Sequence, residues 1–222
     1  MTEDIERYWR EKPNLFDGYY ARPRRLLGLG VGRFLSERVD RVGRLFSVRV
    51  GDLALDIGCG SGVYTRLLQE KGARVIGLDF SAAMLEKAAR AQLPGKRGGL
   101  WFALADAAAL PIEDKAAGFL VSVGLLDYVT PTPDVLKEFR RVVRPGGDIV
   151  FTIPKVPSPF GFLRHGPGLW VRRVFMGLPP IRVAMRRSTL VTLLRDLDLE
   201  LDSLETMTQT MWIVRCRRPV SG

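Results

Sequence analysis

The sequence has little of what defines several protein classes. It contains two cysteines, Cys59 and Cys216, and a single histidine, His165, in 222 residues. Two isolated cysteines form no disulfide pattern, so we expect two reduced structural thiols, and nothing indicates a metal cluster. The first residues lack an apolar signal core, and no uncharged apolar run reaches the roughly 18 residues that a membrane span needs. These absences predict a cytoplasmic protein.

Acidic residues are missing from one segment, which concentrates the positive charge. The chain has a formal net charge of +10, with 46% apolar and 26% charged residues, as expected of one globular domain. Residues 155–187 contain seven Lys/Arg and no Asp/Glu, and residues 1–50 carry +4, whereas residues 51–154 are neutral overall. A local excess of this kind indicates contact with an anionic partner or substrate.

The stretch LALDIGCGSG at residues 53–62 predicts a buried strand that ends in a tight glycine turn. Residues 63–71 then favour a helix that Gly72 ends. Glycines at such a turn allow a ligand to approach the backbone closely. The dinucleotide fingerprint G-x-G-x-x-G would need glycine where the chain has Val63. Asp56, at the end of the strand, would repel a pyrophosphate but suits a ligand with an ammonium and a sulfonium group.

Four motifs, in order along residues 53–153, resemble those of the class I S-adenosylmethionine-dependent methyltransferases. They are LALDIGCGSG, VIGLDFS at 75–81, ADA at 105–107 and RPGG at 144–147. The resemblance implies an α/β fold: a Rossmann-like three-layer α-β-α sandwich whose seven-stranded, mostly parallel sheet has the order 3-2-1-4-5-7-6, with strand 7 antiparallel. It also implies S-adenosyl-L-methionine as the methyl donor and S-adenosyl-L-homocysteine as the product.

One methyltransferase domain in four parts is predicted over residues 1–222. Residues 1–50 form a helical cover, 51–154 the cofactor-binding core, 155–187 a basic and aromatic insertion where the family places its substrate lid, and 188–222 a helix and a strand pair. Alternation of apolar runs with helical patterns predicts the elements. Strands are expected at 53–56, 74–78, 100–104, 117–123, 148–153, 199–207 and 209–216, and helices at 132–143 and, capped by Ser188, at 189–197, before a frayed tail from Arg217.

Acidic residues end the first three predicted strands, where open parallel sheets bind ligands. Asp79, after the second strand, can hold both ribose hydroxyls through its two oxygens. The resemblance implies that Phe80 and Met84 enclose the adenine, and that Asp106 and the backbone N–H of Ala107 bind its edge. Tyr20 or Tyr19 would close over the methionine end. The predicted cofactor site comprises Tyr20, Asp56, Gly58, Cys59, Gly60, Gly62, Asp79, Phe80, Met84, Asp106, Ala107 and Val123.

Each of these assignments has a purely structural alternative. Asp79 could simply precede a helix that Ser81 caps, and Asp106 could cap the short turn that follows it. Met84 could belong to the core, and Tyr20 could be a packed tyrosine with its hydroxyl in water.

The segment after strand four, GLLDYV at residues 124–129, excludes two chemistries. It lacks the Asp/Asn-Pro-Pro-aromatic element typical of methylation at exocyclic amino groups of bases, and it lacks the cysteine nucleophile needed for methylation at carbon 5 of a base. Asp127 is a candidate general base or a solvated cap. His165, within the insertion, is an ordinary loop histidine or a general base that titrates near neutrality.

Methyl transfer to an oxygen, nitrogen or carbon nucleophile is the predicted reaction. The sequence leaves three functions open. The first is a methyltransferase for a small-molecule or lipid-like acceptor, anionic ones included, with peripheral membrane contact through residues 155–187. The second is a nucleic-acid or protein methyltransferase that uses the basic segments as a binding surface. The third is a non-catalytic module that binds S-adenosylmethionine.

Overall fold

The computed structural model describes residues 28–91, 99–130, 132–158 and 181–220. The first described helix, α1 (Gly28–Arg44), confirms the helical prediction for that part of residues 1–50. The elements that follow are β1 (Leu53–Ile57), α2 (Val63–Glu70), β2 (Arg74–Asp79), α3 (Ala82–Arg90), β3 (Leu100–Leu104), β4 (Ala117–Ser122), α4 (Thr132–Val142), β5 (Val143–Pro154), α5 (Arg187–Asp196), β6 (Glu200–Met207) and β7 (Met211–Arg217).

The seven strands form one sheet in the order β3-β2-β1-β4-β5-β7-β6, which confirms the predicted order. Strands β1 to β5 pair in parallel, and β7 runs antiparallel to both β5 and β6. Strands β1, β2 and β4 are short apolar runs buried along most of their length, a pattern typical of parallel strands between helical layers, whereas the edge strand β3 is partly exposed. Their carboxyl ends therefore meet at one edge of the sheet.

Two apolar clusters lie on opposite faces of the sheet. On one face, α4 and α5 bury side chains such as Phe139 and Leu194 against β1, β4 and β5. On the other face, Val42 of α1, Phe46 just after α1 and Leu68 of α2 pack on β1, β2 and β4. Each fully buried side chain of this size contributes about 1.5–3 kcal/mol relative to an exposed one. The helices are thus fixed at the positions from which their loops reach the sheet edge.

Two predicted boundaries are wrong. The helix α5 begins at Arg187 and its N-cap is Arg186, without a side-chain hydrogen bond, so Ser188 is not the cap. Strand β5 begins at Val143 rather than at residue 148, because Val143 pairs with Ala117 before a shift in register. The RPGG motif therefore bends within the strand instead of ending α4.

The predicted frayed tail is also wrong. Arg217 belongs to β7, and Arg218 is only 6% exposed. The Arg218 guanidinium donates to the carbonyl oxygens of Arg140 at 2.8 Å and of Val143 at 3.0 Å. The Arg140 carbonyl lies in the last turn of α4, where helical carbonyls have no partner within the helix, and Val143 directly follows that helix. The basic tail residue is therefore a helix cap, which composition alone could not distinguish from a solvated charge. Among the described helices, none is long and apolar enough to cross a membrane.

Candidate active site

A cleft of about 360 Å³ opens at the carboxyl ends of β1, β2 and β3. This volume lies within the range of about 300–1,000 Å³ that is usual for small-molecule sites. Its walls combine a few polar groups with apolar side chains, as in many cofactor sites. The lining residues are Ile57, Gly58, Leu78, Asp79, Phe80, Leu104, Ala105, Asp106, Ala107, Leu110, Leu125 and Val129.

The glycine loop after β1 is fastened to the end of β2. Gly58 N donates to the carbonyl oxygen of Leu78 at 2.7 Å, and Gly60 N donates to Oδ2 of Asp79 at 2.9 Å. Gly58 and Gly60 have φ values of +71° and +52°, in the left-handed region that side chains disfavour. A Cβ on Gly58 would also lie 3.0 Å from Cβ of Leu125. The loop can therefore adopt this path, and admit the segment after β4, only with glycine at these positions.

Asp79 is buried but retains capacity to bind a ligand. Its Oδ2 accepts from Gly60 N and its Oδ1 from Ser81 N, each at 2.9 Å. An ionised carboxylate has about four lone-pair sites, so the side chain can accept a further hydrogen bond from the cleft beside those from the Ser81, Gly60 and Phe80 amides. Burial raises the pKa of Asp79, and the hydrogen bonds from the Ser81 and Gly60 amides oppose that shift. The residue lies where a ribose-binding acid was predicted.

Asp56 lies below the glycine loop rather than on the cleft wall. It is 1% exposed, and its Oδ2 accepts a hydrogen bond from Thr65 Oγ1 of α2 at 2.6 Å. Burial raises the pKa of Asp56 to about 7, partly offset by the Thr65 hydrogen bond. The described geometry thus connects Asp56 to α2, and its predicted interaction with a ligand ammonium group stays a prediction.

The loop after β3 places Asp106 and Ala107 on the cleft wall. Ala105 N donates to the carbonyl oxygen of Asp79 at 3.0 Å, which joins this loop to the end of β2. Oδ1 of the exposed Asp106 accepts from Ala108 N at 3.0 Å, so the residue also makes the turn-capping contact that was left open as its alternative. A capping carboxylate can still accept from a ligand through its second oxygen.

The remaining predicted cofactor residues divide between wall and support. Phe80 lines the cleft, whereas Met84 is buried, with its Cε 3.2 Å from the position a Cβ on Gly60 would take. The thiol of Cys59 is buried, which raises its pKa and makes it unreactive.

Gly62 and Val123 belong to the support. Gly62 is the N-cap of α2 and would place a Cβ 3.2 Å from Cβ of Ala88 in α3. Val123 packs against the apolar cluster on the α1 face. Tyr20, its alternative Tyr19 and the candidate base His165 lie outside the described residues.

The segment after β4 meets the end of the basic insertion. The backbone oxygen of Asp127 accepts from Arg182 N at 2.9 Å and from Val183 N at 3.3 Å, and Asp127 itself is buried at 7% exposure. At the base of the insertion, Met185 N donates to the oxygen of Pro154 at 2.9 Å. The candidate base Asp127 is therefore held beside the point where the insertion rejoins the fold.

Sequence reasoning missed the apolar residues of the cleft wall. Leu104, Leu110, Leu125 and Val129 line it but were assigned no role. Leu104 ends β3 and Leu125 follows β4, so their strand-end positions were the available signal. Leu110 and Val129 lie in loops that have no periodic pattern, and only the tertiary fold brings them to the cleft.

Comparison with known proteins gives the family context. The sequence matches the family described as "Methyltransferase domain" over residues 55–151. It is 34% identical over 183 residues to a demethylmenaquinone methyltransferase of Clavibacter sepedonicus, covering 78% of this chain and 70% of that protein. It is 31% identical over 175 residues to a malonyl-[acyl-carrier protein] O-methyltransferase of Serratia marcescens, covering 75% of this chain. The chain spans 64% of that relative's length, and 54% of the length of a demethylmenaquinone methyltransferase of Bacillus velezensis.

The fold has a close counterpart among solved structures. Magnesium protoporphyrin IX methyltransferase from Synechocystis PCC 6803, solved with bound SAH, superposes with a TM-score of 0.74 over 97% of this chain and 98% of that one. The two sequences are 16% identical, so this likeness concerns the fold alone.

Proposed function

The chain belongs to the class I S-adenosylmethionine-dependent methyltransferases, and we propose that it transfers a methyl group from this cofactor to a small-molecule or lipid-like acceptor. The main support for the proposal is the hydrogen bond from Gly60 N to Oδ2 of Asp79 at the cleft. It joins a backbone turn that a ligand can approach closely to an acid with free acceptor capacity.

The residues present fit the cofactor. Asp79 would hold the two ribose hydroxyls, because its carboxylate lines the cleft and retains acceptor capacity beside its amide hydrogen bonds. Phe80 and the apolar wall would enclose the adenine, while Asp106 and the N–H of Ala107 would meet its polar edge. Gly58 and Gly60 allow the left-handed backbone turns of the loop, whose main chain the methionine end would approach closely. The buried Met84 would support the loop from beneath.

Catalysis is assigned chiefly to alignment and exclusion of water. When bound, S-adenosylmethionine supplies an electrophilic methyl group that a nucleophile can take by in-line displacement. A chain that positions donor and acceptor in a water-poor cleft can lower the barrier without a catalytic dyad. His165 and Asp127 are the two candidates for removing a proton from the acceptor.

The acceptor class rests on two kinds of support. The relatives at 31% and 34% identity bear names that refer to a malonyl-[acyl-carrier protein] and to demethylmenaquinone. Residues 155–187 combine seven basic residues and no acid with several aromatic side chains, a composition that suits an anionic or lipid-like acceptor and contact with a membrane surface.

The cofactor part of the proposal is tested by calorimetric titration with S-adenosyl-L-homocysteine. Asp79→Ala should weaken binding by about 100-fold, since a buried acceptor for two hydroxyls is lost. Asp202→Ala is the matched control, because Asp202 lies on the opposite edge strand β6 and pairs with Arg215 at 3.2 Å. Equal affinity in wild type and Asp79→Ala would remove the proposal's main support.

The acceptor part is tested by methyl-labelled cofactor and a cell extract divided into lipid, small-metabolite, nucleic-acid and protein fractions. Label in the lipid or small-metabolite fraction is the expected result. Label in the nucleic-acid fraction with steep salt dependence would favour a nucleic-acid methyltransferase. Label in the protein fraction would favour a protein methyltransferase, and tight cofactor binding without label in any fraction would favour a non-catalytic module.

A further inference from the structure

Arg141 of α4 lies at the centre of a hydrogen-bond cluster beside the loop that follows β3. Its guanidinium donates to the carbonyl oxygens of Leu110 at 2.9 Å and of Ile112 at 2.8 Å, and to Oδ1 of Asp114 at 2.6 Å. It also donates twice to the carboxylate of Glu138, each time at 2.7 Å. All five N–H donors of the guanidinium are therefore used.

Glu138 completes the cluster from the same helix. Its Oε2 accepts from Leu110 N at 2.8 Å, so the amide and the carbonyl of Leu110 are both bound by this one pair of side chains. The hydrogen bonds from Arg141 lower the pKa of Glu138, which keeps the carboxylate ionised. The two side chains are 31% and 17% exposed, and such partly shielded, bidentate charged contacts are stronger than exposed ones.

The loop held by this cluster forms one wall of the cleft. Asp106, Ala107 and Leu110 line it, whereas Arg141 and Glu138 do not. We infer that Arg141 and Glu138 are positioning residues that fix this wall for the adenosine end of the cofactor, an inference that rests on the proposed function. Ion pairs between residues three apart on a helix are common and stabilise the helix alone. Arg141 and Glu138 differ because they also bind backbone atoms of the loop.

The neighbouring arginine provides a matched control. Arg140 of α4 pairs with Asp198, which follows α5, Nη2 to Oδ2 at 2.5 Å, and neither residue lines the cleft. Arg140→Met removes the same charge from the same helix and also breaks an ion pair. It leaves the loop contacts of Arg141 intact.

The test is calorimetric titration of the full chain with two probes, S-adenosyl-L-homocysteine and 5′-methylthioadenosine, which lacks the amino-acid end. Arg141→Met should weaken both by the same factor, about tenfold, whereas Arg140→Met should leave both within about twofold of wild type. The fitted stoichiometry reports the folded fraction separately from the affinity, so a loss of folded protein would not be mistaken for a weaker site.

A second measurement and a second variant keep the inference testable if Arg141→Met folds poorly. Hydrogen exchange at residues 105–112 should be faster in the Arg141 variant and unchanged in Arg140→Met. Arg141→Lys retains the charge but not the planar fork, and it should weaken both probes by about threefold or more. Wild-type affinities in folded Arg141→Lys and Arg141→Met would overturn the inference. Failure of the wild-type protein to bind either probe would instead contradict the proposed function.

Discussion

The cleft edge has two halves built from contacts of different sequence range. The cofactor half consists of the loops after β1, β2 and β3. Its key contact, between Gly60 N and Asp79, joins residues 19 apart, and both belong to motifs readable in the sequence. The main exception is the hydrogen bond from Arg141 to the oxygen of Leu110, which joins residues 31 apart in the sequence.

The other half, called the acceptor half because the proposed function assigns it to the acceptor, consists of the loop after β4 and the two ends of the 155–187 segment. Two of its contacts bind the insertion to other parts of the fold: the oxygen of Asp127 accepts from the amide of Arg182, and Trp212 Nε1 donates to the oxygen of Met185 at 3.1 Å. Lys155 Nζ lies 4.8 Å from the Trp212 ring centroid. The cofactor half can be recognised from the sequence because its residues belong to motifs. The acceptor half has no such motif, so its residues can differ between proteins with different acceptors.

The largest expected effect comes from blocking the cofactor half. Gly60→Val should weaken S-adenosyl-L-homocysteine binding by about 100-fold, since φ is +52° and a Cβ would lie 3.2 Å from Met84 Cε. Isothermal calorimetry of folded protein is the measurement. Gly51→Val, at φ +84° with no atom within 4 Å of the added Cβ, controls for backbone strain alone. Equal losses in both variants would mean that strain, not the site, is responsible.

Removing a candidate general base should affect turnover only. If His165 acts as the base, His165→Ala lowers kcat by about 100-fold and leaves S-adenosyl-L-homocysteine affinity unchanged. Asp127→Asn is the paired variant, assayed on the same acceptor. A loss confined to Asp127→Asn would transfer the role to Asp127. Full turnover in both would leave alignment of the reactants as the main catalytic device.

A smaller effect is expected in the pH dependence of stability. Burial raises the pKa of Asp56 from 3.8 to about 7, so the folded state holds a proton that the unfolded state releases between these values. This contribution favours folding at low pH and is lost as the pH rises toward 7. Asp56→Asn cannot ionise and retains an acceptor for Thr65. Its stability relative to wild type should rise by on the order of 2 kcal/mol between pH 5 and pH 8, measured by urea unfolding. A pH-independent difference would contradict this account of Asp56.

The smallest effect is expected at the base of the insertion. Trp212→Phe keeps a ring beside Lys155 but removes the N–H that binds the oxygen of Met185, which should cost about 1 kcal/mol of unfolding free energy. Affinity for S-adenosyl-L-homocysteine should not change, because the contact lies in the acceptor half. A parallel loss of cofactor affinity would show that the two halves are coupled.

The same difference in sequence range explains what could be predicted from the sequence. Asp79 and the glycine loop were identifiable because strand periodicity and turn glycines are local signals, and the strand order followed from the motif resemblance. The hydrogen bonds of Arg218 to the end of α4 and of Arg141 to Leu110 could not be identified from the sequence. A basic residue near a chain end or on a helix surface has the same neighbours in sequence whether its side chain is solvated or hydrogen-bonded to the protein. Met84 has the position in the motif that predicts contact with the cofactor, but its side chain packs beneath the glycine loop.

A crystal structure of the protein with S-adenosyl-L-homocysteine would test the assignment of the cleft and of Asp79 most directly. We expect the ligand in the cleft at the ends of β1, β2 and β3, with the two ribose hydroxyls bound to Oδ1 and Oδ2 of Asp79 and the adenine against Phe80 and Ala107. A ligand bound elsewhere, or a ribose that makes no contact with Asp79, would contradict it.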